Sequence, residues 1–168
     1  MVSIDAAHKE VNDLYKQLTP MVDAVVNKNC KEIDDIVGKI KSNLTVLTKK
    51  ELEDYMLRLT AEAYYLTSTK DSSILKQECA LTLLKEKQAD VFNITPGTAR
   101  AKDNQSIIDT VDKQVVTLLY NAVTNRLKSK LDETHRMINV LSNVLISKNA
   151  EAKLRGGIRD NDTYDNSL

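Results

Sequence analysis

The stretch SIIDTVDKQVVTLLYNAVTNRLKSKLDETHRMINVLSNVLISKN, Ser106 to Asn149, contains neither proline nor glycine. Apolar residues recur through it as Ile108, Val111, Val115, Leu119, Val123, Leu127, Leu131, Ile138, Leu141 and Leu145. Steps of three and four place these side chains on one face of a helix. At 1.5 Å of rise per residue, ~44 residues make a helix of ~66 Å, about twice the diameter of a small domain. A helix of that length must lie against another long helix, from the same chain or from a second copy. Between Val111 and Leu131 the stripe advances by four and drifts across the helix face. Beyond Leu131, Thr134, Ile138, Leu141 and Leu145 follow a heptad seam. The upper part suits packing within the chain and the lower part suits self-association.

Upstream of this helix the punctuation is sparse. Ile4, Ala7, Val11, Leu14 and Leu18 form a first stripe that ends at Thr19-Pro20, where Pro20 suits the first turn of a second helix. That helix carries Val22, Val26, Ile33, Val37 and Ile40, with Cys30 and Ile36 beside them. Thr48-Lys49-Lys50-Glu51 is a capping box, so a helix starts there. The polar run Thr67 to Ser73 competes for backbone hydrogen bonds and leaves two readings, a continuous helix or, slightly favoured, a break before a helix carrying Ile74, Leu75, Cys79, Leu83, Leu84 and Val91. Thr95-Pro96-Gly97-Thr98 is the clearest stop in the chain. These signals predict an N-terminal helical pair over 1–45, a central helical arm over 46–94, a loop over 95–105, the long C-terminal helix over 106–155 and a disordered tail over 156–168.

Composition agrees with an all-α fold. Only 4 glycines and 2 prolines punctuate 168 residues, too few for the turns of a sheet-rich fold. The 24 basic residues balance the 24 acidic ones, so any nucleic-acid surface must be a local patch. Two cysteines, Cys30 and Cys79, do not make a disulfide framework and read as reduced, buried apolar residues. No apolar N-terminal run resembles a signal peptide, and no 18-residue apolar stretch is long enough for a bilayer. The expectation is a cytoplasmic protein with no membrane partner.

Motifs for chemistry are sparse. His135 lies three residues from Asp132, which suits a surface ion pair better than a metal site, and His8 is alone between Ala7 and Lys9. Nucleotide-binding glycine fingerprints, nucleophile elbows and phosphate loops are missing, so the reading is of no enzyme, no cofactor and no metal. Asp34-Asp35 and Glu51, Glu53 and Asp54 read as solvated helical faces. The basic cluster Arg126, Lys128 and Lys130, with Arg100 and Lys102 secondary, is the candidate phosphate-contacting surface. Tyr64, Tyr65 and Tyr120 are available for base stacking, although tyrosines on helical stripes more often belong to the core.

The stretch Ile94-Thr95-Pro96-Gly97-Thr98-Ala99-Arg100-Ala101-Lys102-Asp103 precedes a helix that runs through Leu118-Leu119-Tyr120 and Arg126-Leu127-Lys128. In this order of elements, roughly residues 50–155 resemble the phage recombination mediators of the UvsY type and related helical proteins of phage recombination and replication modules. The resemblance implies an oligomeric accessory protein in the host cytoplasm that holds single-stranded DNA. Such a protein helps a recombinase displace the single-strand-binding protein. The neutral charge, the additional N-terminal helices and the acidic tail depart from that pattern. The overall expectation is an elongated helical bundle, its long C-terminal helix packed in an antiparallel hairpin, with coiled-coil-like contacts between copies of a homo-oligomer. The alternative is a helical structural or interaction protein, such as a scaffold, virion component or inhibitor, with no nucleic-acid role.

Overall fold

The computed structural model describes residues 4–43 and 46–162, with side chains at residue 9, at 11–43 and at 46–154. Four helices and no strand occur among the described residues: α1 (Ile4–Asn43), α2 (Lys49–Ile94), α3 (Ala99–Ile108) and α4 (Val111–Asp162). The fold is all-α, as the composition requires.

The break expected at Pro20 is not there, and of the two readings of Thr67–Ser73 the continuous helix is the one observed. Pro20 lies inside α1, where a separate second helix was anticipated. The ring removes one backbone donor, but the stripe of Leu14, Leu18, Val22, Val26 and Cys30 keeps its phase through it, and Pro20 itself is exposed. The run Thr67 to Ser73 is likewise continuous with α2. Buried Leu52, Leu59, Leu66, Ser73 and Ala80 are spaced seven apart across it. In both places the burial pattern overrides a local propensity worth only tenths of a kilocalorie to about 3 kcal/mol.

The loop anticipated over 95–105 is shorter, because α3 begins at Ala99. The Thr98 hydroxyl accepts from the Ala101 amide at 3.4 Å and caps it. Gly97 takes φ +117, which a side chain would strain, so glycine is required there. The long helix starts at Val111 rather than Ser106, since Asp109 and Thr110 form a turn. Thr110 is fully buried and donates to the Ser106 carbonyl at 2.7 Å. Gln114 donates to the Ile107 carbonyl at 3.1 Å, so the last carbonyls of α3 find partners without continuing the helix. Residues 156–162 continue α4 where disorder was expected. The rest of that tail, 163–168, lies outside the described residues.

The chain forms two compact units that do not follow the expected segments. One comprises residues 1–30 and 66–130, hereafter the first unit, and the other comprises 31–65 and 131–168, the second unit. The second unit has an aliphatic core of Ile33, Ile36, Ile40, Leu52, Leu59 and Leu141, each under 2% exposed. Each such side chain contributes roughly 1.5–3 kcal/mol by leaving water. The Lys148 ammonium donates to the Leu47 carbonyl at 2.8 Å and ties α4 to the end of the α1–α2 connection. In the first unit, α2 and α4 run in opposite directions. Ser73 meets Thr124 at 2.9 Å, Gln77 donates to Asn121 at 3.4 Å, and Gln88 donates to Thr110 at 3.4 Å.

The capping box forms as expected. Both the Thr48 hydroxyl (2.7 Å) and the Thr48 amide (2.8 Å) donate to Glu51 Oε2, and the Glu51 amide donates back to the hydroxyl at 3.3 Å. The Thr48 hydroxyl, and then its amide, hold the Glu51 carboxyl below its ordinary value against a small opposing effect of burial. A carboxyl whose pKa is lowered by folding adds stability above its unfolded value and loses that contribution as pH falls through the folded value. Thr48→Ala is expected to cost about 1 kcal/mol in chemical denaturation near neutral pH. The gap between variant and parent should narrow in acid, and a gap independent of pH would contradict the assigned role of Glu51.

Candidate interaction surface

The five basic residues singled out by the sequence do not converge. All belong to the first unit. Arg126 is ion-paired with Asp23 of α1, a residue 103 positions away. Lys130 lies one turn further along the same face of α4 and is half-buried, with an interaction of its own. Lys128 is exposed, and two residues of helix turn it roughly 200° from Arg126. Arg100 is exposed on α3. The Lys102 ammonium sits 5.4 Å from the centre of the Phe92 ring, a cation–π contact that docks α3 onto the end of α2. From Thr110, where α3 ends, to Arg126 the α4 axis advances by ~24 Å. The two basic groups therefore occupy separate places, and their strongest members hold helices together.

The other candidates are dispersed too. Asp132, His135 and Arg136 are exposed, and the His8 side chain lies outside the described residues. Among the described residues, no group of three metal-ligating side chains converges. Nor is any of their helices long and apolar enough to cross a membrane. Cys30 is buried as expected, but Cys79 is exposed. Tyr64 and Tyr65 are 76% and 65% exposed, against the expectation of core positions, with ring centroids 6.1 Å apart in an edge-to-face arrangement. Tyr120 is half-buried.

What does converge in the first unit is apolar surface. Of the twenty-one large apolar side chains exposed among the described residues, fourteen belong to this unit. It holds only seven of the seventeen buried apolar residues, although it is the longer unit. Leu75, Cys79 and Leu83 of α2 face Val116 and Tyr120 of α4 across an open groove of about 460 Å³. Leu75 is 61% exposed, Leu83 56% and Val116 45%. Lys76, Asp112 and Lys113 stand among the groove residues, giving it charges of both signs. Helical spacing had marked Leu83 for the core. It lies outside because, of the α4 residues that line the groove, Asp112 and Lys113 are charged and Val116 and Tyr120 alone could cover it. Two helices facing one another cover a narrower stripe than three. No protein-family model, curated protein or solved structure matches the chain.

The pairing of α2 with α4 in this unit adds neutral polar contacts to the burial of Leu66, Ala80, Val91, Val123 and Leu127. Ser73 and Thr124 are both buried and share one hydrogen bond. Thr124→Val keeps the shape but strands the Ser73 hydroxyl, and is expected to cost about 1–3 kcal/mol in chemical denaturation. Adding Ser73→Ala should restore much of that loss. A double variant no more stable than the single one would show that the two hydroxyls do not depend on each other.

Proposed function

We propose that this chain is a non-enzymatic helical interaction protein that assembles with further copies of itself through the apolar surface of the first unit. The concentration of exposed Leu75, Leu83 and Val116 around one groove supports this reading, since such a patch on a soluble helical unit is the mark of an interaction site. A second copy is the occupant. Closed homo-oligomers use self-complementary surfaces, and a groove carrying Lys76, Lys113 and Asp112 offers both signs of charge to its own image. The elongated bundle and its coiled-coil-like contacts between copies belong to this proposal. The heptad seam of Thr134, Leu141 and Leu145, expected to serve self-association, is buried within the chain and does not contribute to it.

Light scattering should report an oligomer, and Leu75→Glu with Leu83→Glu should yield a monomer of unchanged helicity. A parent protein that is monomeric at micromolar concentration would defeat the proposal.

A second reading has the assembly hold single-stranded DNA and assist a recombinase against a single-strand-binding protein. The exposure of Lys128 and Arg100, neither ion-paired among the described residues, favours it. Fluorescence polarisation with a labelled single strand at two salt concentrations tests it. Binding that weakens with salt, and weakens again on Lys128→Glu, is the expected result. Absence of binding at low salt would remove it.

A further inference from the structure

The run Thr67 to Ser73 reads as a turn yet is helix, and its hydroxyls have a common destination. Ser68, Thr69, Ser72 and Ser73 line a second groove of the first unit, about 480 Å³ in volume, between α1, α2 and α4. This lies within the range of roughly 300–1,000 Å³ typical of small-molecule sites. Positions i, i+1, i+4 and i+5 of a helix share a face. Serine and threonine are poor choices for a helix interior, where alanine or leucine would stabilise it. The Ser73–Thr124 bond accounts for Ser73, and Thr69 has an interaction of its own, which leaves Ser68 and Ser72 to be explained. Ser68 and Ser72 are exposed to the groove and contribute nothing to packing that alanine would not.

The remaining lining shows what these hydroxyls suit. Lys76, one turn beyond Ser72, places an ammonium in the groove, and Tyr120 adds a phenol from α4. Asn29 of α1 spends one amide N–H on the Val25 carbonyl at 2.7 Å and keeps the other. Val25 and Leu119 supply an apolar wall, with Val123 and Leu127 at its buried base, and no carboxylate lines the groove. Several neutral donors around one ammonium, with no acid among them, match a phosphate group, whose oxygens accept several bonds at once. The apolar wall matches the organic body that carries the phosphate.

We propose that this groove binds a phosphate ester, its phosphate held by Lys76, Ser68 and Ser72 and its organic part laid against Val123 and Tyr120. The site is separate from the assembly proposed above, although Lys76 and Tyr120 border both grooves. The ester is either a free small molecule or a phosphate of a nucleic-acid strand.

Calorimetric titrations of the full chain with inorganic phosphate, thymidine monophosphate and an oligothymidylate, at constant ionic strength, test the site. Saturable binding of the mononucleotide points to a free ester, and binding of the oligonucleotide alone points to a strand. In either case Lys76→Gln should weaken binding by at least about tenfold, the loss of one charge-assisted bond. Ser68→Ala with Ser72→Ala, both outside the apolar groove, should also weaken it while leaving light scattering unchanged. Lys128→Gln should have no effect on mononucleotide affinity. No saturable heat with any of the three probes, or affinities indifferent to Lys76→Gln, would overturn the proposal.

Discussion

Burial of one face of each long helix is the constraint on which the fold depends. In the second unit Ile33, Ile36 and Ile40 of α1, Leu52 and Leu59 of α2, and Leu141 of α4 are shut away from water. Within each unit the buried residues fix the azimuth of a helix, and their neighbours inherit their direction from the 3.6-residue repeat. Pro20 and the Thr67–Ser73 run lie in helices whose phase is set by the buried residues beside them. The groove residues Leu75, Cys79 and Leu83 face outward for the same reason: the seam of Leu66, Ser73 and Ala80 has already claimed the inner face of α2.

The first unit reverses the usual balance. It invests serine, threonine, asparagine and glutamine in the pairing of α2 with α4, and leaves leucine, isoleucine and valine on its outer surface. Hydrogen bonds of this kind add modest net stability but penalise any misalignment that leaves a buried hydroxyl alone. Apolar residues do the opposite, adding stability with little directional demand. The inner seam thus specifies alignment, and the outer surface is available for association.

Local chemistry was legible in the sequence, and long-range chemistry was not. The Thr48–Glu51 box and the stop at Pro96-Gly97 act within one or two turns, and each is present; the stripe read from Ile108 to Leu145 is buried only in its lower part, with Ile108 and Val111 exposed at its head. Pro20 was misread, and Thr67–Ser73 stayed open between two readings, because a propensity argument weighs neighbours and ignores the phase of a burial pattern running past them. The surroundings of the basic cluster were not legible for another reason. The Arg126 partner, Asp23, lies 103 residues away, and Lys102 meets Phe92 only after α3 folds back. Charge counted along a chain says nothing about which charges are already spent. The polar face of Ser68, Thr69, Ser72 and Lys76 was visible as a composition, but not as one wall of a groove, because the opposite wall comes from α1 and α4.

The contacts that align α2 with α4 in the first unit have one more consequence. Ser73, Thr124, Gln77, Asn121, Gln88 and Thr110 carry no formal charge and do not titrate in the physiological range. Ionic strength screens charges, and acidity changes them, but neither acts on an amide or a hydroxyl. The part of the alignment that these three contacts carry is therefore indifferent to the ionic medium. Salt or pH can alter the charged exterior and whatever it attracts, while the frame beneath keeps the same register.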